Sequence, residues 1–364
     1  MKIREICSYL DNEVPLSYQE GYDNSGIQTG ESDLDVSAIL LTIDVTEAVV
    51  DEAISSKCNL IISHHPLIFQ GVKRITDKHP IERILLKCIK NIIAVYSAHT
   101  NLDTWNSSVS MILAEKLGLK KTVPLIPAER KLMKLVTYIP ESHLENVRNA
   151  IFEAGAGEIG NYDKCGYTVM GTGSFRGNEN SNPFAGKAGE IHFEKETRFE
   201  TVLHSHLRDK VVNALLKAHP YEEVAYDLYQ LENFNSRSGI GCIGEFSDSR
   251  TGQEFLRHIA DITGCLHPRY SGDIGKKIRR VAVCGGAGEK FIRYAIASDA
   301  DAYITGDIKY HSFFESVNGL LIVDAGHFET EKYSTEILKE LIIKKFPKFA
   351  LRFSKINTNP INYF

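Results

Sequence analysis

Apolar residues at Ile3, Ile6, Leu10 and Val14 recur with helical spacing and Pro15 ends the run, so the chain opens on an amphipathic helix. From Val36 the pattern changes to short continuous apolar runs separated by helical segments. Val36 to Ile43 predicts a buried strand ending at Asp44, and Thr46 starts a helix through Lys57 with Val49, Val50 and Ala53 inward. Asn59 to Ser63 is a second strand, stopped by His64-His65-Pro66. Ile81, Ile84, Leu85 and Ile89 mark the next helix. A third strand, Ile92 to Ser97, runs into Ala98-His99-Thr100-Asn101-Leu102-Asp103, and a helix from Ser107 to Leu117 closes this half. Strands apolar on both faces, joined through helices by short connections, predict a parallel sheet covered on both sides.

The far end repeats this order. Val281 to Cys284 is a strand leading into Gly285-Gly286-Ala287-Gly288 and a helix from Lys290. Ala302 to Thr305 ends at Gly306-Asp307, before a helix carrying His311. Leu320 to Asp324 ends at Ala325-Gly326-His327-Phe328-Glu329-Thr330-Glu331, before a long helix to Lys345. His99 and Asp103 thus occupy the places that His327 and Glu331 occupy in the second half. The fold class expected is α/β: a duplicated βαβαβ main domain of two lobes.

Between the halves the composition shifts. Residues 118–132, with Pro124, Pro127 and the basic Arg130-Lys131, read as a linker. There follow a strand from Lys134 to Ile139, a helix with Leu144, Val147, Ala150 and Ile151, and strands around Tyr167–Thr172 and Glu190–Glu196 flanking a polar loop from Arg176 to Gly189. A helix from His206 to Ala218 leads through His219-Pro220-Tyr221-Glu222-Glu223 to a strand from Ala225 to Leu231. That order, βαββαβ, is ferredoxin-like. The expected division is a discontinuous main domain at 1–125 and 236–364 with an inserted α+β domain at 126–235, the chain returning through a glycine-bearing stretch at 237–241.

Charge narrows the function. A formal net charge of −5 without a basic stripe gives no reason to expect DNA or RNA as partner. Seven cysteines are scattered singly with no CxxC, which fits reduced thiols in a cytosol-like compartment. Charges near the start stand where a signal peptide needs an apolar core, and no run is long enough to span a bilayer. The expectation is a soluble, cytoplasmic protein with no membrane partner.

The polar residues just beyond the strand ends carry the chemistry: His64, His65, His99, Asp103, His327 and Glu331, with Asp44 and Asp307 nearby. The ends of parallel strands are where open α/β sheets bind ligands. Adjacent His64 and His65 diverge on an extended backbone and serve two ions more easily than one. A mixed set of five nitrogen and oxygen ligands is too many for one open tetrahedral ion and fits two ions sharing a carboxylate, a site suited to hydrolysis. The bland readings are a solvated histidine, a helix-capping Asp103 and a Glu331 that only complements its helix dipole. His311 is open between a supporting role and none. Gly285 to Gly288 reads as a phosphate cradle or as a plain strand-to-helix turn. Gly21 to Gln28 reads as an Asx-type turn or a rim loop beside the site.

Tyr22-Asp23-Asn24-Ser25-Gly26, Ser63-His64-His65-Pro66, Ser97 to Asp103, Thr305-Gly306-Asp307 and Gly326 to Glu331 together resemble the dinuclear-metal-centre hexameric protein family, the NIF-three-like or GTP cyclohydrolase 1 type 2 homologues. The segment around Glu153 to Gly157, Gly160 to Asp163 and His219 to Glu223 resembles the PII/CutA-like insert of longer members. The resemblance implies two divalent ions per chain (zinc, iron or manganese). His64, Asp103 and Glu331 would hold one, His65, His327 and Glu331 the other, with His99 beside them as the catalytic or substrate-facing group. It implies a toroidal homohexamer, and Tyr22 stands where many members have tryptophan. The function it implies is a metal-dependent hydrolase acting on GTP or another small molecule through metal-activated water. The alternative is a non-catalytic metal-binding, regulatory or metal-delivery assembly whose insert senses a ligand. The sequence shows neither a guanine-reading pocket nor a basic cluster for a triphosphate.

Overall fold

The computed structural model describes residues 1–128, 132–233 and 235–362. Two compact units are present, Met1–Pro127 together with Ser236–Phe364, and Ala128–Asn235.

In the larger unit each half builds its own sheet. The first has five strands in the order Gly26–Thr29, Ala94–Ser97, Leu60–Ser63, Ile39–Thr42, Leu351–Phe353. Its last four are mutually parallel, and Gly26–Thr29 lies antiparallel on the edge. The register sets Thr42, Ser63 and Ser97 side by side, so three strands end flush. The second sheet has six strands in the order Arg269–Ser271, Leu321–Asp324, Ala302–Thr305, Lys277–Val283, Cys242–Thr251, Lys120–Val123. Its three central strands are parallel and its outer ones antiparallel. Residues 120–123 are therefore a sheet edge rather than the linker expected from composition, while Arg130 and Lys131 lie outside the described residues. The expected helix from Lys290 is a 3-10 turn at Glu289–Phe291 followed by helix Ile292–Ala297, and the segment carrying His311 is a 3-10 helix, Tyr310–Asn318.

Helices Glu47–Ser55 and Pro80–Lys90 cover one face of the first sheet, burying Val49, Val50, Ala53, Ile84 and Leu85 against Leu40, Ile61 and Val95. Thr46 caps the former, its hydroxyl oxygen accepting from the Val49 amide at 3.3 Å. The other face is covered by helix Ile3–Glu13 and by Ser334–Lys345, which belongs to the second half. Ile337, Leu338, Leu341 and Ile342 of that helix pack with Ile39, Leu41, Leu60 and Ile62. Reciprocally, Val109–Lys116, which follows the third strand of the first half, buries Leu113 and Ala114 against Val281, Val283, Ile304 and Val323 of the second sheet. The halves exchange one helix and one edge strand each. At about 1.5–3 kcal/mol per fully buried aliphatic side chain, this exchange welds the lobes together.

The smaller unit is a four-stranded antiparallel sheet in the order Tyr226–Gln230, Leu132–Pro140, His192–His204, Gly166–Phe175. Helices Leu144–Glu153 and Arg208–Ala218 bury Val147, Ile151, Val211 and Leu215 against Leu135, Ile139, Phe199 and Leu203. Its order of elements is the ferredoxin-like βαββαβ, with the third strand far longer than the Glu190–Glu196 its polarity suggested. Among the described residues no helix is long and apolar enough to cross a membrane.

If the exchanged helix is a structural tie, Leu338→Ala, at a fully buried position, lowers unfolding stability by about 2–5 kcal/mol, read as a drop in the urea midpoint at unchanged slope. An unaltered midpoint would show that the helix is dispensable.

Candidate metal centre

Leu60–Ser63 is buried at every position, and the ladder continues one step beyond it. The His64 amide donates to the Thr42 carbonyl and the His65 amide to the Ile43 carbonyl, at 3.2 and 2.9 Å. The two rings diverge, 5.0 Å between centroids, and each is fixed by its Nδ1. His64 Nδ1–H donates to the Ala98 carbonyl oxygen at 2.8 Å, and His65 Nδ1–H donates to Asp44 Oδ1 at 2.7 Å. A carbonyl only accepts, so in the neutral imidazole it is His64 Nε2 that carries the lone pair. That atom is buried with no hydrogen-bond partner among the described residues, 3.8 Å from both Asp103 Oδ1 and Glu331 Oε2.

The second half answers from helix His327–Glu331. One turn places His327 and Glu331 on the same face, and Glu331 Oε2 lies 2.9 Å from His327 Nε2 and 2.9 Å from His65 Nε2. His327 Nδ1–H donates to Asp307 Oδ2 at 2.7 Å. Glu331 ends the short helix His327–Glu331 just ahead of Ser334–Lys345, and its Oε2 is committed to the imidazoles at 2.9 Å. Asp103 does not cap the following helix, Val109–Lys116, whose N-cap is Ser108.

Whether these residues suit a metal is decided by two nitrogens. His65 Nε2 and His327 Nε2 are 3.3 Å apart, and both Nδ1 protons are already committed to carboxylates. In neutral form the two lone pairs would face each other and the Glu331 carboxylate oxygen, so protons or a cation must lie among these three atoms. Donors at about 2.0–2.1 Å from a tetrahedral ion lie about 3.3–3.4 Å apart, so the observed spacing fits. Ligand atoms of His64, His65 and Glu331 all lie within 4.8 Å of one another, and this group can hold a metal ion.

Electrostatics agree. Burial works against charged imidazoles, but Asp44 and Glu331 push His65 up to about 10, and Glu331 and Asp307 push His327 up to about 9. Burial likewise resists charge on Glu331, yet hydrogen bonds from His327 and His65, with the His64 imidazole nearby, hold its carboxyl well below the usual range. Cys284 lines the same cavity, and burial pushes its thiol up to about 12, so it stays protonated.

His99 stands at the cavity wall, its ring 5.4 Å from those of His64 and His65. Its Nδ1–H donates to Asp23 Oδ1 at 2.7 Å, and the buried Asp23 also accepts from the Thr100 amide at 3.0 Å. The Gly21 to Gln28 segment is thus a rim loop, and Asp23 is the residue that sequence reasoning passed over. Its polar, Asx-like surroundings were the available signal. Thr358, near the end of the chain, donates to Asp44 Oδ2 at 2.7 Å, and nothing in its neighbourhood announces this. His311 is exposed against Tyr310 and Phe314, away from the cavity lining.

The glycine turn has a steric purpose. Gly286 has φ +62°, and a Cβ there would sit 1.9 Å from Glu331 Oε1. Its amide donates to Thr330 Oγ1 at 3.0 Å, tying the turn to the helix that bears Glu331. The surrounding cavity, of about 500 Å³, has Tyr22, Phe69, Phe291 and Lys290 in its wall beside the histidines.

The model of the Duf34/NIF3 (NGG1p interacting factor 3) family matches residues 1–360. The chain belongs to the Duf34/NIF3 family. It is 38% identical over 370 residues to a Bacillus subtilis (strain 168) protein named GTP cyclohydrolase 1 type 2 homolog, covering 99% of this chain and 98% of that one. A Halalkalibacterium halodurans protein of the same name is 39% identical over 364 residues, covering 98% of each. The crystal structure of a Bacillus cereus protein related to NIF3 superposes with a TM-score of 0.89 at 38% identity, covering 100% of this chain and 99% of that one. The two-lobed α/β fold is therefore shared with a solved NIF3-related structure.

Two outcomes test this geometry. Gly286→Ala in the NIF3 glycine turn displaces Glu331, so the purified variant carries markedly less bound metal by elemental analysis. Full loading would show that Glu331 is not a ligand. In chelator-stripped protein, raised histidine values mean stability present below about pH 6.5 and lost as pH rises through about 9–10. Melting temperature therefore falls between about pH 7 and 10 in stripped protein and less in metal-loaded protein, where ions replace the protons. Parallel pH profiles would contradict the shared site.

Proposed function

We propose that this NIF3-family protein is a metal-dependent hydrolase using two divalent ions that share Glu331. His64 and Asp103 complete one set and His65 and His327 the other. The observation that carries the reading is the ligand-ready state of four imidazoles. Each Nδ1 is anchored, to Ala98, Asp44, Asp23 or Asp307, and three Nε2 atoms gather around one buried carboxylate oxygen. Carboxylates and carbonyls behind ligating histidines fix ring orientation and raise basicity. When bound, a pair of zinc, iron or manganese ions supplies Lewis acidity and lowers the pKa of water.

The protein's own part is orientation and proton handling. Asp44 and Asp307 hold the His65 and His327 rings. Asp23 holds His99 with Nε2 left to accept or return a proton in the cavity. Tyr22 and Phe69, 6.3 Å between centroids, form an exposed aromatic wall beside the site. This wall suits a planar base, and Lys290 in the same lining suits an anionic group. Together with the names borne by the homologues, these features favour a nucleotide such as GTP. The toroidal homohexamer implied by sequence resemblance belongs to the same proposal and predicts a hexameric mass by light scattering.

Turnover of GTP and a phosphoester panel by the metal-loaded protein tests the reading. Product forms in proportion to metal, His65→Ala and Glu331→Ala abolish it, and Asp44→Asn weakens metal affinity by roughly 10–100-fold. Tight metal binding with no turnover on any nucleotide or phosphoester would replace this reading with metal storage or delivery.

A further inference from the structure

The smaller unit has its own cavity, of about 530 Å³, a size that takes small organic ligands. It lies where the loop after Gly166–Phe175 and the His219-to-Glu223 turn meet over the end of the sheet. Tyr221 stands between two further rings, 5.9 Å from Phe175 and 6.0 Å from Phe184 by centroid. The turn is held in place from below. His219 is buried, its Nε2–H donates to the Tyr138 carbonyl at 3.0 Å, and its Nδ1 accepts from the Tyr221 amide at 3.2 Å. Glu222 pins the opposite loop by accepting from the Asn182 amide at 3.0 Å.

Beneath the rings is Glu196, 8% exposed. Its Oε1 accepts from the Tyr221 hydroxyl at 2.8 Å. Its Oε2 lies over Gly173, where a Cβ would come within 2.1 Å, so the glycine makes room for the carboxylate. No cation pairs with Glu196 among the described residues, although buried carboxylates are ordinarily paired. Arg176 is the one basic residue in the lining and makes no ion pair among the described residues. Of the three carboxylates in the lining, Glu222 and Glu223 are exposed and both Glu222 oxygens accept from the Asn182 amide, so Glu196 is the one buried carboxylate under aromatic faces, short of the three or more donors a metal ion would want. Ring faces and a carboxylate together recognise an organic cation.

We propose that this cavity binds a small alkylammonium cation, its head against Glu196 and enclosed by Phe175, Phe184 and Tyr221. The site is independent of the metal centre. It gives the His219-to-Glu223 motif a ligand-facing role in addition to its role as a turn.

Calorimetric titration of the full chain with choline, and with its uncharged carbon isostere 3,3-dimethyl-1-butanol, tests it. Choline binds about tenfold or more tightly than the isostere. Glu196→Gln removes that preference, and Phe184→Leu, at an exposed loop position, weakens choline severalfold without affecting folding. Should Glu196→Gln melt early, the probe pair on the unaltered chain and the Phe184→Leu variant decide. Equal affinity for both probes, no binding of choline, or choline binding that arises only in Arg176→Gln would each overturn the proposal. The last result would make the arginine the pocket's own counter-ion.

Discussion

Glu331 Oε2 is an oxygen almost sealed from water, with imidazole nitrogens from both lobes at 2.9, 2.9 and 3.8 Å. A carboxylate so placed is costly unless positive charge comes with it. Protons on the histidines can supply that charge, and so can divalent cations. The rest of the site turns on the choice between them. The anchored Nδ1 atoms and the unpartnered His64 Nε2 favour cations, because that nitrogen lies 3.8 Å from either carboxylate oxygen, too far for a hydrogen bond.

Convergence of segments so distant in sequence depends on the reciprocal exchange between the halves. Each parallel strand set ends in a polar turn, and each third strand is succeeded by a short helix presenting a histidine and a carboxylate. The next helix then leaves for the opposite sheet. Ser334–Lys345 packs on the first sheet directly after Glu331, as Val109–Lys116 packs on the second soon after Asp103. These two longer helices thus hold the short ones at the seam, and Gly286 lets the backbone approach the carboxylate there.

Much of this was legible in the sequence because buried parallel strands write themselves as continuous apolar runs, and because the duplication sets His99 and Asp103 opposite His327 and Glu331. The outer strands were not. Gly26–Thr29 sits in a polar turn sequence, Lys120–Val123 is charged, and Leu351–Phe353 is three residues long, so none carries a periodic signal. Cys242–Thr251 turns polar half-way along. At the site, the histidines and the two acidic residues at helical spacing announced themselves. Asp23 and Thr358 act on the rings through contacts 76 and 314 positions away, to His99 and Asp44, which spacing cannot reveal. By sequence alone the glycine turn fits a phosphate cradle or a plain turn. Its steric purpose depends on a residue far along the chain, Glu331 facing Gly286.

The central claim, that one buried carboxylate is shared by two ions, is tested most directly by anomalous diffraction from crystals grown without added metal, supplemented by a soak in a single divalent ion. The account predicts two anomalous peaks flanking Glu331, one bounded by His64 and Asp103 and the other by His65 and His327. No peak beside Glu331 after the soak, or a lone ion held elsewhere in the chain, would contradict it.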